Sequence, residues 1–322
     1  MSDISAAMPR HVIVTDVVGR DGFQDEPRII PTDEKVRVIE GLVRAGVTSI
    51  EVTSFVHPKV VPQMADAAEV LARVPRDRGV TYSALLPNLK GAQRALAAGI
   101  DEIHLVVSAS ESHNRANLNR GTQESLDQLR EVAEYVRAED PKVALVGTIA
   151  TSFGCPFGGA VPVDRLLWVI EQFRAMGMAS IALADTTGMA NPLQVGQTVA
   201  AVKQRFPEVD FQLHLHNTRG LGLANAFAGL QVGVTRFDAA LGGLGGCPFA
   251  PGATGNISTE DLVHMLHEMG IETGIDLDAL IAEAKKLPDI VGHEVESFVI
   301  KGGKACDLHP FEEIKIARSA AA

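Results

Sequence analysis

RAGVTSIEV (44–52) reads as the end of a helix, a glycine and the start of a strand. The same phrase returns as AAGIDEIHLV (97–106), AMGMASIALA (175–184) and QVGVTRFDAA (231–240). A glycine just past the last helical turn is a common helix stop, because it takes the left-handed backbone conformation without a side-chain clash. Outward from these joints, short runs rich in β-branched residues alternate with longer amphipathic stretches eight times. The expected strands are HVIVTDVV (11–18), SIEVTSF (49–55), VTYSALL (80–86), EIHLVVSAS (102–110), KVALVGTIAT (142–151), MASIALADT (178–186), FQLHLHN (211–217) and RFDAALGG (236–243). Most are continuous apolar runs, the pattern of strands covered on both faces. Among the helices between them is DEKVRVIEGLVRAG (33–46), with Thr32 as its N-cap and Gly46 as its C′ residue. Eight β–α units predict an α/β fold, a (β/α)8 TIM barrel over about residues 10–272. A helical extension over about 273–322 is expected to pack against one barrel end, the whole forming one catalytic domain. The rival, an open doubly wound sheet, lacks a G-x-G-x-x-G turn after the first strand.

Apolar residues are 46% of the 322 and charged residues 21%, which suits a large buried core and excludes disorder. Lys and Arg number 29 against 40 Asp and Glu, a net charge of −11 that argues against nucleic-acid and anionic-membrane partners. A local cationic pocket for a small anion remains compatible with that balance. No window approaches 18 consecutive apolar residues, and MSDISAAMPR lacks the marks of a secretory or transit peptide. The three cysteines, Cys155, Cys247 and Cys306, do not read as a disulfide framework. The expectation is a cytoplasmic enzyme.

In a TIM barrel the chemistry sits where the strands end at their C-terminal side. Polar residues fall there on nearly every strand: Arg20-Asp21 and Gln24 after the first, Glu51 on the second, Asp185 at the end of the sixth, and His214-Leu215-His216 on the seventh. The eighth runs into Gly242-Gly243-Leu244-Gly245-Gly246-Cys247 and then Asn256. Positions i and i+2 of a strand point the same way, so His214 and His216 can reach one ion. Asp21, one strand beyond the ring closure, would add a hard oxygen, and Asn256 a carbonyl oxygen. Mixed nitrogen and oxygen donors suit Mg²⁺ or Mn²⁺ better than a closed zinc site. Arg20 offers a fixed cation for a carboxylate or enolate. Glu51 and Asp185 either act directly or hold these groups in place. Cys247 lies in a glycine-rich loop that can close over a site and is a candidate proton carrier. Cys155 reads as a packed thiol. His57, His104, His113, His264 and His267 lack a partner pattern and read as surface or core residues.

At GRDGFQDE (19–26), IEVTSFVHPKVVPQM (50–64), SAS (108–110), GCPFGG (154–159), ADTTG (184–188), HLHNTRG (214–220) and LGGLGGCPFAPGATGNISTEDLVHML (241–266) the chain resembles the 3-hydroxy-3-methylglutaryl-CoA lyases. These belong to a wider superfamily of metal-dependent carbon–carbon lyases and synthases. The resemblance implies a metal held by Asp21, His214, His216 and Asn256, and an enolate stabilised by Arg20. It also implies a proton-transferring thiol at Cys247 and substrate-positioning roles for Gln24, Glu51 and Asp185. It further implies an acyl-CoA substrate and a homo-oligomer, dimer or tetramer. Departures from the lyase pattern are Asn217, where these lyases usually carry Asp, Gly19 in place of Pro, and Pro27-Arg28 after Glu26; Arg28 is a candidate contact for a CoA phosphate. Three alternatives stand beside this reading: a lyase for another 3-hydroxy-acyl-CoA, a synthase condensing acyl-CoA with a 2-oxo acid, and a non-catalytic scaffold barrel.

Overall fold

The computed structural model describes residues 8–246 and 255–308. Eight parallel strands form a closed ring. They are β1 Ile13–Asp16, β2 Ser49–Ser54, β3 Thr81–Leu86, β4 Glu102–Ser108, β5 Ala144–Ala150, β6 Ser180–Asp185, β7 Asp210–Leu215 and β8 Arg236–Ala239. Every strand falls inside, or within one residue of, the run read as a strand in the sequence. Ring closure pairs β1 with β8, from Ile13 opposite Arg236 to Asp16 opposite Ala239. All six residues of β2 are buried, although Ser49, Glu51 and Thr53 alternate with Ile50 and Val52.

The outer ring is α1 Thr32–Arg44, α2 Ala67–Arg73, α3 Leu89–Ala97, then α4 Glu111–Leu118 and α5 Thr122–Glu139 together after β4. It continues with α6 Val163–Ala175, α7 Pro192–Arg205, α8 Gly222–Gln231 and α9 Thr259–Glu268. The four helix-stop glycines, Gly46, Gly99, Gly177 and Gly233, all have φ between 75° and 89°. The N-cap of α1 is Pro31, with Thr32 as the first helical residue. Thr32 Oγ1 donates to Asp66 Oδ2 at 2.8 Å instead of capping its own helix. Proline's fixed φ already prepares the helix entry, so the hydroxyl is free to tie α1 to the start of α2.

The extension holds α10 Leu277–Ala284, α11 Leu287–Val291 and α12 Phe298–Gly302. Its described residues run along the outer wall of the barrel. It begins at the N-terminal face, where Asp276 N donates to Ala45 O at 2.8 Å, and climbs the outer wall with α10 against α1 and α9. At the C-terminal face the Asp261 carboxylate accepts from the amides of Phe298 and Val299, and Glu296 N donates to Gly242 O at 3.0 Å. A Cβ at Gly41 would stand 2.6 Å from the Glu283 side chain, so the small residue in α1 sets the closeness of that packing. Among the described residues no helix is long and apolar enough to cross a membrane.

Candidate active site

After β1 the chain turns at once into a five-residue π-helical turn, Val18–Gly22, with every residue buried. Asp16 Oδ1 accepts from Val18 N at 2.8 Å and fixes the start of the turn. A Cβ on Gly19 would stand 2.8 Å from Val52 O, so glycine lets the turn lie against β2. The turn aims Arg20 and Asp21 into the barrel mouth. Single π turns of this kind occur often at functional sites.

His214 and His216 project from β7 and its end, with ring centroids 5.1 Å apart. Their Nε2 atoms are 3.1 Å apart, and lie 3.7 Å and 3.5 Å from Asp21 Oδ2. These three buried groups are the one metal-capable cluster of His, Cys, Asp and Glu among the described residues. Ligands about 2.1 Å from a common ion stand roughly 3.0–3.5 Å apart, so the donor spacing fits a small divalent ion. The chemistry of the set fits as well. Asp238 Oδ2 lies 3.0 Å from His214 Nδ1 and accepts its N–H, which leaves the Nε2 lone pair directed at the other two donors. His216 Nδ1 is buried with no partner.

Asn256 reaches the cluster by backbone pairing. His216 and Asn256 form an antiparallel bridge, Asn217 N donates to Gly255 O at 3.0 Å and Ile257 N donates to Leu215 O at 3.0 Å. The expected carbonyl contact is not what the structure shows. Asn256 Nδ2 donates to Asp21 Oδ2 at 2.7 Å and to Leu244 O at 3.0 Å, while Oδ1 is buried without a partner. A half-turn of the amide would exchange Oδ1 and Nδ2 and turn the carbonyl oxygen toward the cluster. Gly242, Gly243 and Gly245 have φ of 69°, 67° and 119°. The Glu260 carboxylate accepts from Gly242 N at 3.1 Å and holds the start of this turn. Cys247 lies outside the described residues.

Arg20 Nε donates to Glu51 Oε2 at 2.7 Å, and Nη1 pairs with Asp21 Oδ1. Burial opposes the guanidinium charge, but the carboxylates of Asp21 and Glu51 more than offset it and raise the Arg20 pKa. Burial likewise opposes the Asp21 charge, yet Arg20 and the two imidazoles hold its carboxyl well below the usual range. Stripping one partner from such a buried pair costs about 3–5 kcal/mol, so this arc is rigid. For His214, burial disfavours the proton, but Asp238 and Asp21 raise its pKa.

These groups form the inner end of a cavity of about 610 Å³, which Gln24 and Glu51 also line. Asp185 does not line it. Its oxygens accept from Met189 N at 2.9 Å and Ala190 N at 3.1 Å, fixing the turn after β6. The carboxylate at the end of an apolar strand is there to satisfy loop amides. Asn217 Oδ1 similarly accepts from the N of Gly222, the first residue of α8, at 3.0 Å. Arg28 is exposed and is not part of the lining.

Three lining residues were missed. Asp238 sits in register opposite His214, and Gln212 Nε2 donates to its other oxygen. Its signal was legible, an acid inside the apolar run RFDAA. His104 lies 3.1 Å from Thr148 Oγ1 and 3.2 Å from Glu102 Oε1. His113 Nδ1 lies 2.8 Å from Ser108 Oγ. Both imidazoles face the cavity from the β4 side, where no H-x-H pattern flagged them.

A family profile described as HMGL-like matches residues 11–287. The hydroxymethylglutaryl-CoA lyase of Bacillus subtilis is 43% identical over 90% of this chain and 96% of its own length. The (R)-citramalyl-CoA lyase of Chloroflexus aurantiacus is 45% identical over 93% of this chain and 96% of its own. The solved structure of an HMG-CoA lyase from A. baumannii, in complex with coenzyme A and 3-methylmalate, superposes with a TM-score of 0.90. It is 47% identical, covering 97% of this chain and all of that one. With a closed barrel, a buried carboxylate–imidazole cluster at its mouth and relatives that span nearly its whole length, the chain belongs to the HMGL-like family.

Proposed function

We propose that the chain is a divalent-metal-dependent carbon–carbon lyase that cleaves 3-hydroxy-3-methylglutaryl-CoA to acetyl-CoA and acetoacetate. The observation that carries this reading is the convergence of Asp21, His214 and His216 on one point beside the doubly paired Arg20. Asp21, His214 and His216 hold the ion, with Asn256 as a fourth ligand once its amide is turned. The ion, when bound, acts as a Lewis acid on the substrate oxygens and lowers the pKa of the tertiary hydroxyl.

Asp238 keeps the His214 ring in one orientation and one tautomer. Of the two candidates for taking the hydroxyl proton, Asp21 keeps carboxylate lone pairs beside the ion, whereas His214 would serve only with its Nε2 off the ion. The C2–C3 bond then breaks, its electron pair passing to the thioester as an enolate while the C3 oxygen becomes the ketone of acetoacetate. Arg20, locked by Glu51 and Asp21, sets its charge against the developing enolate oxygen. A proton delivered to carbon completes acetyl-CoA, and Cys247 is proposed to carry it. Mg²⁺ and Mn²⁺ are the ions this donor set suits.

A second reading keeps the chemistry and changes the acyl group. It is favoured by the 45% identity to the citramalyl-CoA lyase, beside 43% to the hydroxymethylglutaryl-CoA lyase of Bacillus subtilis. Purified protein with Mg²⁺ or Mn²⁺, assayed on both thioesters and a small panel of related 3-hydroxy-acyl-CoAs, is expected to release acetyl-CoA from at least one. Chelation should abolish that release and either ion restore it. Full activity in chelated, metal-free protein would overturn the metal reading, and no cleavage of any thioester would overturn the lyase reading.

A further inference from the structure

The cavity has a second polar end that the mechanism does not use. It is built from α4, α5 and the end of β4, and its lining includes His113, Asn117, Arg120 and Gln128. His113 is 1% exposed and its Nε2 is buried with no hydrogen-bond partner. Burial disfavours its charged form, and Ser108 Oγ lies 2.8 Å from Nδ1; in the neutral tautomer whose Nδ1 accepts from Ser108, Nε2 carries an N–H with no acceptor. Arg120 donates from Nε to Leu118 O at 3.2 Å and makes no ion pair among the described residues. The other arginine of the lining, Arg20, is saturated by Asp21 and Glu51. An acidic chain that takes an anionic substrate thus keeps a guanidinium without an ion pair among the described residues in the wall of the cavity that this unsatisfied buried imidazole also lines.

We propose that Arg120 and His113 form an oxyanion subsite that receives the free carboxylate of the acyl group, the end of the substrate that leaves as the oxo acid. This rests on the lyase reading above and adds to it the feature that selects the substrate. A guanidinium binds a carboxylate through paired N–H donors, and a neutral imidazole N–H adds a third. The acyl carboxylate fits better than a CoA phosphate because His113 is sealed from solvent, whereas a doubly charged phosphate keeps its hydration at an open mouth. Both acyl groups considered above carry such a carboxylate, so the subsite serves either one and rejects neutral 3-hydroxy-acyl chains.

The test compares the acid substrate with the thioester whose distal acid is methylated. Arg120→Met is expected to raise KM for the acid about tenfold or more while kcat falls less than threefold. Arg120→Lys should recover most of that KM. The wild-type chain should prefer acid to ester by a similar factor, and Arg120→Met should lose the preference. Arg115→Gln, whose guanidinium pairs with Glu111 and lies outside the lining, should leave both values unchanged. Equal KM increases for acid and ester, or a parallel loss of affinity for free CoA, would overturn the assignment. Calorimetric titration with 3-hydroxy-3-methylglutarate reads the subsite without turnover: weaker binding to Arg120→Met supports it even if no thioester is cleaved, and equal binding overturns it.

Discussion

The two ends of the cavity are built differently. On the arc from β7 through β8 and β1 to β2, Arg20, Asp21, Glu51, His214 and Asp238 lock one another within hydrogen-bonding or ion-pair distance. On the opposite wall, Val106, Leu129 and Ala150 are apolar, and the polar groups among them, His113 and Arg120, keep donors in reserve. The first arrangement fixes geometry at the cost of freedom, as bond breaking requires. The second leaves hydrogen-bonding capacity for a ligand, as recognition requires. Chemistry and selectivity are therefore expected to respond separately to mutation.

Asp21→Asn should have the largest effect. It removes a ligand charge and one of the two carboxylates that hold Arg20, and kcat should fall about 10³-fold with loss of metal binding while the circular dichroism spectrum is kept. Steady-state kinetics with a metal titration reads this, and a variant within tenfold of wild type would remove Asp21 from the reaction. Asp238→Asn should do less, roughly 10–100-fold in activity or metal affinity, because it loosens the His214 tautomer without removing a ligand. If metal affinity and turnover both stayed at the wild-type level, the orienting role would be lost.

The smallest effect concerns the glycine turn that supports Asn256. Burial pushes the Glu260 carboxyl up to about 7, from an ordinary value of 4.5. The folded state thus holds a proton that the unfolded chain releases, so this group's contribution is present below about pH 4.5 and lost as pH rises towards 7. Glu260→Gln removes that titration. Its melting temperature should decline less between pH 5 and 8 than that of the wild-type chain, by a few degrees, about 2–4 °C per kcal/mol for a chain of this size. Parallel melting curves across that range would show that Glu260 titrates normally.

The sequence was most legible where local rules act alone. Gly46, Gly99, Gly177 and Gly233 announced their joints because an L side chain is strained at φ near 80°. Continuous apolar runs marked the eight strands because helices cover one face and the barrel core the other. The H-x-H pair was legible because strand periodicity puts both rings on one side. Asp185 misled because a carboxylate at a strand end looks the same whether it faces a cavity or its own loop amides. His113 was passed over because its partner Ser108 is 5 residues away at a spacing no periodicity marks, and His104 because its partner Thr148 is 44 residues away, although its other partner, Glu102, stands at strand spacing.

Local propensity and period therefore determined the barrel and named most of its polar rim. Only the tertiary structure decided which rim groups turn inward, which serve the backbone, and that Asp238 stands behind His214. Those outcomes depend on ring closure and on register between strands far apart in the chain. A carboxylate's role follows from whichever donor the fold brings within about 3 Å of it, a distance that no residue carries in its own identity.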